Sequence, residues 1–228
     1  MKIRQLFDQE TWTYTYLVYD ERSKEAAIID SVKEKFERDR RYINELGLQL
    51  KYALETHVHA DHVTGAGLLR QAFDCKVAVH KEGCAACADI QVVDGMEFQL
   101  GAHTLRAMHT PGHTNGDVSY LIDGAVFTGD ALLIRACGRT DFQQGSSSRL
   151  YESIHNKLFA LPADTIVYPG HDYEGFTSST IGEEQRLNPR LGNSKPKPDF
   201  MHIMDTMNLP RPRKIDVAVP GNLACGMA

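Results

Sequence analysis

The chain of 228 residues contains no apolar run near the roughly 18 residues that a membrane-spanning helix requires. It also lacks a basic excess. Its 25 Lys and Arg stand against 30 Asp and Glu, and a net charge of −5 argues against nucleic acid or an anionic membrane as the main partner. No apolar signal core and no Arg/Ser-rich, acid-poor transit segment follows Met1-Lys2-Ile3-Arg4-Gln5, so a cytoplasmic location is expected. Cysteine is sparse: Cys75, Cys84, Cys87, Cys137 and Cys225 form an odd set without a disulfide-framework spacing, which fits a reducing compartment. Cys84-Ala85-Ala86-Cys87 matches C-x-x-C, but only His80 stands near it, too little for a structural zinc. Two small buried thiols are expected there, with a redox dithiol as the alternative.

What is present suits one globular unit. At 42% hydrophobic and 24% charged residues, the chain can bury a sizeable core, and a single domain over residues 1–228 is expected. Thr11–Val18 alternates polar and aromatic residues, a strand with one buried face, and Ala26–Ile29 is a short buried strand. Val32, Phe36, Ile43 and Leu46 recur at helical spacing up to Gly47, with the charges from Lys33 to Arg41 on the solvated side. Ala66, Leu69 and Phe73 mark a second helix, and Leu150, Ile154 and Leu158 a third. Strands are expected at Lys76–Val79, Thr104–Met108, Val118–Ile122, Ala125–Phe127 and Thr165–Tyr168. Thr180-x-x-Glu183 has the form of a capping box. The tail is read as a helix near Asp199–Met207, an extended Leu209-Pro210-Arg211-Pro212 link and a final strand-like segment.

The densest chemistry lies in Thr56-His57-Val58-His59-Ala60-Asp61-His62, directly after the apolar Tyr52-Ala53-Leu54. Three imidazoles and a carboxylate within seven positions exceed any folding need and are the usual ligands of a divalent transition metal. Three further polar clusters stand where a strand should end: His109-Thr110-Pro111-Gly112-His113-Thr114, Thr128-Gly129-Asp130 and Pro169-Gly170-His171-Asp172-Tyr173. Proline and glycine break each strand and let the next residue project from its carboxyl end, where open α/β sheets place their sites.

The order H-x-H-x-D-H, a glycine-preceded His, T-G-D and G-H resembles the metallo-β-lactamase superfamily. The resemblance implies an α/β fold, a four-layer αββα sandwich with its site at one edge. It also implies that His57, His59 and His113 can line one metal position, that Asp61, His62 and His171 can line a second, and that Asp130 can reach both. A finer resemblance, to the persulfide dioxygenase (sulfur dioxygenase) family, rests on longer stretches. These are Thr128–Arg135, Cys137–Gly145, His171-Asp172-Tyr173-x-Gly175-Phe176-Thr177, Asn188-Pro189-Arg190 and Asp216-x-Ala218-Val219-Pro220-x-Asn222. That family implies one non-haem Fe(II) per chain on His57, His113 and Asp130, a two-imidazole, one-carboxylate facial set with an open opposite face. His59, Asp61, His62 and His171 are then groups that orient ligands and waters. Spacing alone, with every ligand of a two-metal site present, points instead to two metals.

The implied activity is oxidation of glutathione persulfide by O₂ to sulfite and glutathione, with iron supplying the redox chemistry and the protein placing both reactants. Arg139 matches a glutathione-binding cation of the glyoxalase II family and Tyr173 a phenol there; Arg190 belongs to the matched N-P-R. The alternatives are an ion pair with Asp141 for Arg139 and plain packing for Tyr173. Two other functions compete: a glyoxalase II-like thioesterase with two metals, and a non-enzymatic sulfane-sulfur carrier using Cys84, Cys87 or Cys225. The oligomeric state stays open, a homodimer included.

Overall fold

A computed structural model describes residues 1–227. The first six strands form one sheet in chain order: β1 (Lys2–Asp8), β2 (Thr13–Tyr19), β3 (Glu25–Ile29), β4 (Gln49–Leu54), β5 (Lys76–His80) and β6 (Ile90–Val92). The remaining six are β7 (Glu97–Leu100), β8 (His103–His109), β9 (Val118–Ile122), β10 (Ala125–Gly129), β11 (Ile166–Pro169) and β12 (Ser179–Thr180), and they form a second sheet, again with chain neighbours side by side. The helices are α1 (Phe36–Glu45), α2 (Ala66–Phe73), α3 (Ser147–Ser153), α4 (Ile181–Leu187), α5 (Lys197–Thr206) and α6 (Ile215–Leu223).

Three apolar layers explain why two sheets and two sets of helices stack. Tyr14, Tyr16 and Val18 of β2 meet Leu105, Ala107, Tyr120 and Phe127 between the sheets. Leu17, Tyr19 and Ile28, on the other face of the first sheet, pack with Ile43 of α1 and Leu69 of α2. Val126 and Val167 of the second sheet pack with Leu150 of α3, Ile181 of α4 and Phe200 of α5. The result is the expected αββα order.

Two expectations for the first half change. β2 is buried along its whole length rather than on one face, because its odd and even residues belong to different apolar layers. Asp39, placed by its pattern on the solvated side of α1, is buried beside Arg38, and burial lifts its carboxyl to about 6.

The tail departs further. The segment expected as a final strand is helix α6, despite Val217, Val219 and an internal Pro220. Its docking overrides β-propensity, as tertiary context commonly does. Asn222 accepts from Thr64 N at 2.7 Å and donates to the carbonyls of His59 and His62 at 2.8 and 2.9 Å. The cysteines differ from expectation as well. Cys87 is bonded to Cys225, 138 residues away, a pairing that no local spacing reveals. Cys84 is exposed rather than buried, at the left-handed residue (φ 55°) that ends a short turn after β5. The thiol-carrier alternative thus loses two of its three sulfurs to a disulfide. Among the described residues no helix is long and apolar enough to cross a membrane.

The disulfide closes a long loop, and the loss of unfolded-chain entropy can contribute up to about 5 kcal/mol. Cys225→Ser is therefore expected to lower Tm by roughly 5–15 °C. Dithiothreitol should lower the wild-type Tm similarly in thermal scans and leave the variant unchanged.

Candidate metal centre

Strand direction brings the four polar clusters together. β8 and β10 each run antiparallel to β9 between them, and β11 runs parallel to β10. The carboxyl ends of β8, β10 and β11 therefore share one rim, carrying His113, Asp130 and His171. The first sheet is tied to the same rim, since Val118 N donates to Thr56 O at 2.7 Å and Tyr14 N to Gly170 O at 2.8 Å. The His57–His62 loop, leaving β4, thus faces the three others.

Close approach demands glycine at two points. A Cβ on Gly129, whose φ is +52°, would stand 2.5 Å from Thr56 Oγ1. One on Gly170 would stand 2.7 Å from Asp130 Oδ1. The glycines that end the strands therefore also make room for a ligand carboxylate and for the group behind His57.

His57, His113 and Asp130 offer one ligand atom each, all within 4.8 Å of one another. Each imidazole is held by its other nitrogen. Thr56 Oγ1 lies 3.0 Å from His57 Nδ1 and itself donates to Asp30 Oδ2 at 2.8 Å. His113 Nδ1 donates to the carbonyl of Arg139 at 2.6 Å, while its Nε2 lies 3.7 Å from Asp130 Oδ2. Holding Nδ1 leaves Nε2 for a metal, so these three residues fit a two-imidazole, one-carboxylate ion site.

The charges agree. Burial, with His59 and His113 close by, keeps the His57 imidazole well below its ordinary range, hence neutral and able to ligate. Burial alone would raise the Asp130 carboxyl, but His171, His113 and His57 outweigh it and hold it low, hence ionised.

The remaining histidines are held as well, yet His59 Nδ1 and His62 Nε2 stay buried without a partner among the described residues, and His59, Asp61 and His62 form a second group able to hold an ion. His59 Nε2 lies 3.2 Å from both Asp30 Oδ1 and Glu55 Oε2, all three residues being buried. His62 Nδ1 lies 2.8 Å from Asp61 Oδ2. His171 spans Asp130 Oδ1 (2.7 Å) and Asp61 Oδ2 (3.0 Å), and against its burial these carboxylates raise its affinity for a second proton.

The expected substrate residues are more dispersed. The Tyr173 ring stacks over His171, centroids 6.1 Å apart, and at 64% exposure stands at the mouth of the site beside Trp12. The Arg139 guanidinium is already engaged, gripping both Asp141 oxygens at 2.7 Å and the carbonyls of Pro210 and Leu209. Arg190 donates to the Cys137 carbonyl at 2.8 Å, holding the loop that leads to Arg139. Asp30 and Thr13 carry no sequence mark as site residues, each reading singly as an ordinary polar residue, while Thr56 and Asn222 lie in the motif stretches without a role that residue type reveals.

Comparison with known proteins bears on the same residues. The metallo-beta-lactamase superfamily model matches residues 13–171, which include the first three clusters and the fourth as far as His171. The chain belongs to that superfamily. It is 49% identical to the human mitochondrial persulfide dioxygenase ETHE1 and 48% identical to the bovine one, covering 99% of this chain and 89% of each relative. The crystal structure of ETHE1 from Myxococcus xanthus superposes with a TM-score of 0.96 at 50% identity, covering 99% of this chain and all of that one. Within the superfamily the chain therefore belongs with the persulfide dioxygenases.

An ion held here depends on the charge of Asp130, since an amide is a poorer, neutral ligand. Asp130→Asn is expected to retain less than about a tenth of the wild-type metal after dialysis, by elemental analysis, while keeping its far-ultraviolet circular dichroism.

Proposed function

We propose that the protein is an iron-dependent persulfide dioxygenase that oxidises glutathione persulfide with O₂. The carrying observation is that a two-imidazole, one-carboxylate cluster lies at the sheet rim of a chain 49% identical over almost its whole length to human ETHE1. The balanced reaction takes glutathione persulfide, O₂ and water to glutathione, sulfite and two protons. Iron, one Fe(II) per chain on His57, His113 and Asp130, supplies the activation of O₂.

The chain's own residues set the stage. The Thr56 hydroxyl and the Arg139 carbonyl fix the ring orientations of His57 and His113. The ionised Asp130 balances the charge of a divalent cation, and His171, held between Asp130 and Asp61, can supply a proton near the reacting sulfur. His59, Asp61 and His62 keep this arrangement in register rather than binding the ion themselves. Tyr173 is placed to cover the substrate at the mouth.

Arg139 is proposed to hold a glutathione carboxylate. It borders a cleft of about 470 Å³ lined also by Ser146, Ser147, Met201 and Leu209. Because Asp141 already fills the guanidinium fork, the carboxylate would exchange with it. Arg190 supports this loop through Cys137. A cytoplasmic location is proposed, although the mammalian relatives carry "mitochondrial" in their names.

Oxygen-electrode and sulfite assays test the reaction. Consumption of one O₂ per sulfite, dependent on both iron and glutathione persulfide, is expected. Rapid hydrolysis of S-lactoylglutathione without O₂ uptake would instead make the protein a thioesterase. For the substrate site, Arg139→Ala should raise KM about tenfold with iron content near wild type, as a lost charged hydrogen bond of roughly 1.5–3 kcal/mol implies. An unchanged KM would leave Arg139 as a strut between its loop and the tail.

A further inference from the structure

Seven potential ligands crowd a centre that, as a persulfide dioxygenase site, holds one metal on three of them. Some of the atoms a second ion could use are already engaged by a hydroxyl. Thr13 Oγ1 lies 3.2 Å from Asp61 Oδ2, 3.4 Å from His62 Nδ1 and 3.1 Å from His171 Nε2. Resting on the one-iron reading, we propose that the Thr13 hydroxyl occupies the second metal position and so limits the centre to one ion.

A second ion bound by Asp61 Oδ2 and His171 Nε2 at roughly 2.0–2.2 Å would compete with that hydroxyl for the space between them. Thr13 cannot easily withdraw. Its side chain is fully buried, and its β-branch restricts rotation about Cα–Cβ. On its outer side Thr11 Oγ1 lies 2.8 Å from Thr13 Oγ1 and closes the space behind the hydroxyl.

The backbone pins it too. Thr13 forms an antiparallel bridge with His171, flanked by Tyr14 N to Gly170 O at 2.8 Å and Asp172 N to Trp12 O at 3.3 Å. The strand that carries the hydroxyl and the loop that carries His171 therefore move as one. A neutral hydroxyl at this point satisfies three polar groups by hydrogen bonds without bringing a second positive charge beside the first. Thr13 thus decides metal number, while Asp61, His62 and His171 keep the residue types of a second site.

The experiment counts metal without using turnover. Wild type and Thr13→Ala, stripped by chelator, are equilibrated anaerobically with zinc, passed through a desalting column and analysed for zinc per chain. Wild type should hold about one zinc and Thr13→Ala about two, with Thr13→Ser, which keeps the hydroxyl, staying at about one. Two zincs in wild type would overturn the one-metal reading itself. One zinc in both wild type and Thr13→Ala would overturn the role of Thr13 while leaving the one-metal reading intact, and two in Thr13→Ser would also overturn it. Should Thr13→Ala fail to fold, anomalous diffraction from zinc-soaked wild-type crystals decides. A single peak with Thr13 Oγ1 still between Asp61 and His171 supports the proposal, and a peak in its place refutes it.

Discussion

A histidine can serve a metal only with the nitrogen that the protein does not hold, and the centre is organised around that constraint. His57 and His113 are each gripped at Nδ1, one by a threonine hydroxyl and the other by a main-chain carbonyl. His59 is gripped by two buried carboxylates, and His62 and His171 by Asp61. Which imidazole nitrogens are left for an ion is thus set by hydrogen bonds a layer behind them. Asp30 is central to that layer, because it takes both the amide and the hydroxyl of Thr56 and also faces His59. One carboxylate therefore fixes which nitrogen each of two histidines leaves free, Nε2 of His57 and Nδ1 of His59.

The fold makes such a layer available by bringing the edges of two sheets together. Loops from β4, β8, β10 and β11 meet because their strands share a direction, and the main-chain bonds from Val118 to Thr56 and from Tyr14 to Gly170 lock the sheets at that rim. The C-terminal helix adds a third restraint. Asn222 satisfies three backbone groups of the histidine loop, and the Cys87–Cys225 bond ties the end of the chain to the first sheet. A tail remote in sequence therefore helps set the register of the candidate ligand loop.

Much of this was legible because local pattern and tertiary demand coincide. The Thr180 hydroxyl caps α4 by accepting from Glu183 N at 3.1 Å, as the capping box implied. The second half of that box does not form, since Glu183 turns to Arg135 and Ser179 instead. Alternation in Thr11–Val18 located β2 but hid that one of its threonines sits among metal-site side chains. The β-branched valines of the tail suggested a strand, yet docking through Asn222 makes a helix. Arg139 shows a subtler limit. Its guanidinium pairs with Asp141, as neighbouring opposite charges allow, while its carbonyl aims His113, a role that belongs to the backbone and leaves no mark in residue type.

The sequence by itself determined the superfamily, the strand-end placement of His57, His113, Asp130 and His171, and the donor chemistry of a divalent metal. Those features arise from residue types at short spacing, where glycine, proline and apolar runs act locally. Only the tertiary structure decided which nitrogen of each histidine is free, which cysteine Cys87 meets and what stands beside Asp61, His62 and His171. Those depend on distances between residues as far apart as Thr13 and His171, or Cys87 and Cys225, and such distances exist only once the two sheets have packed and the tail has docked.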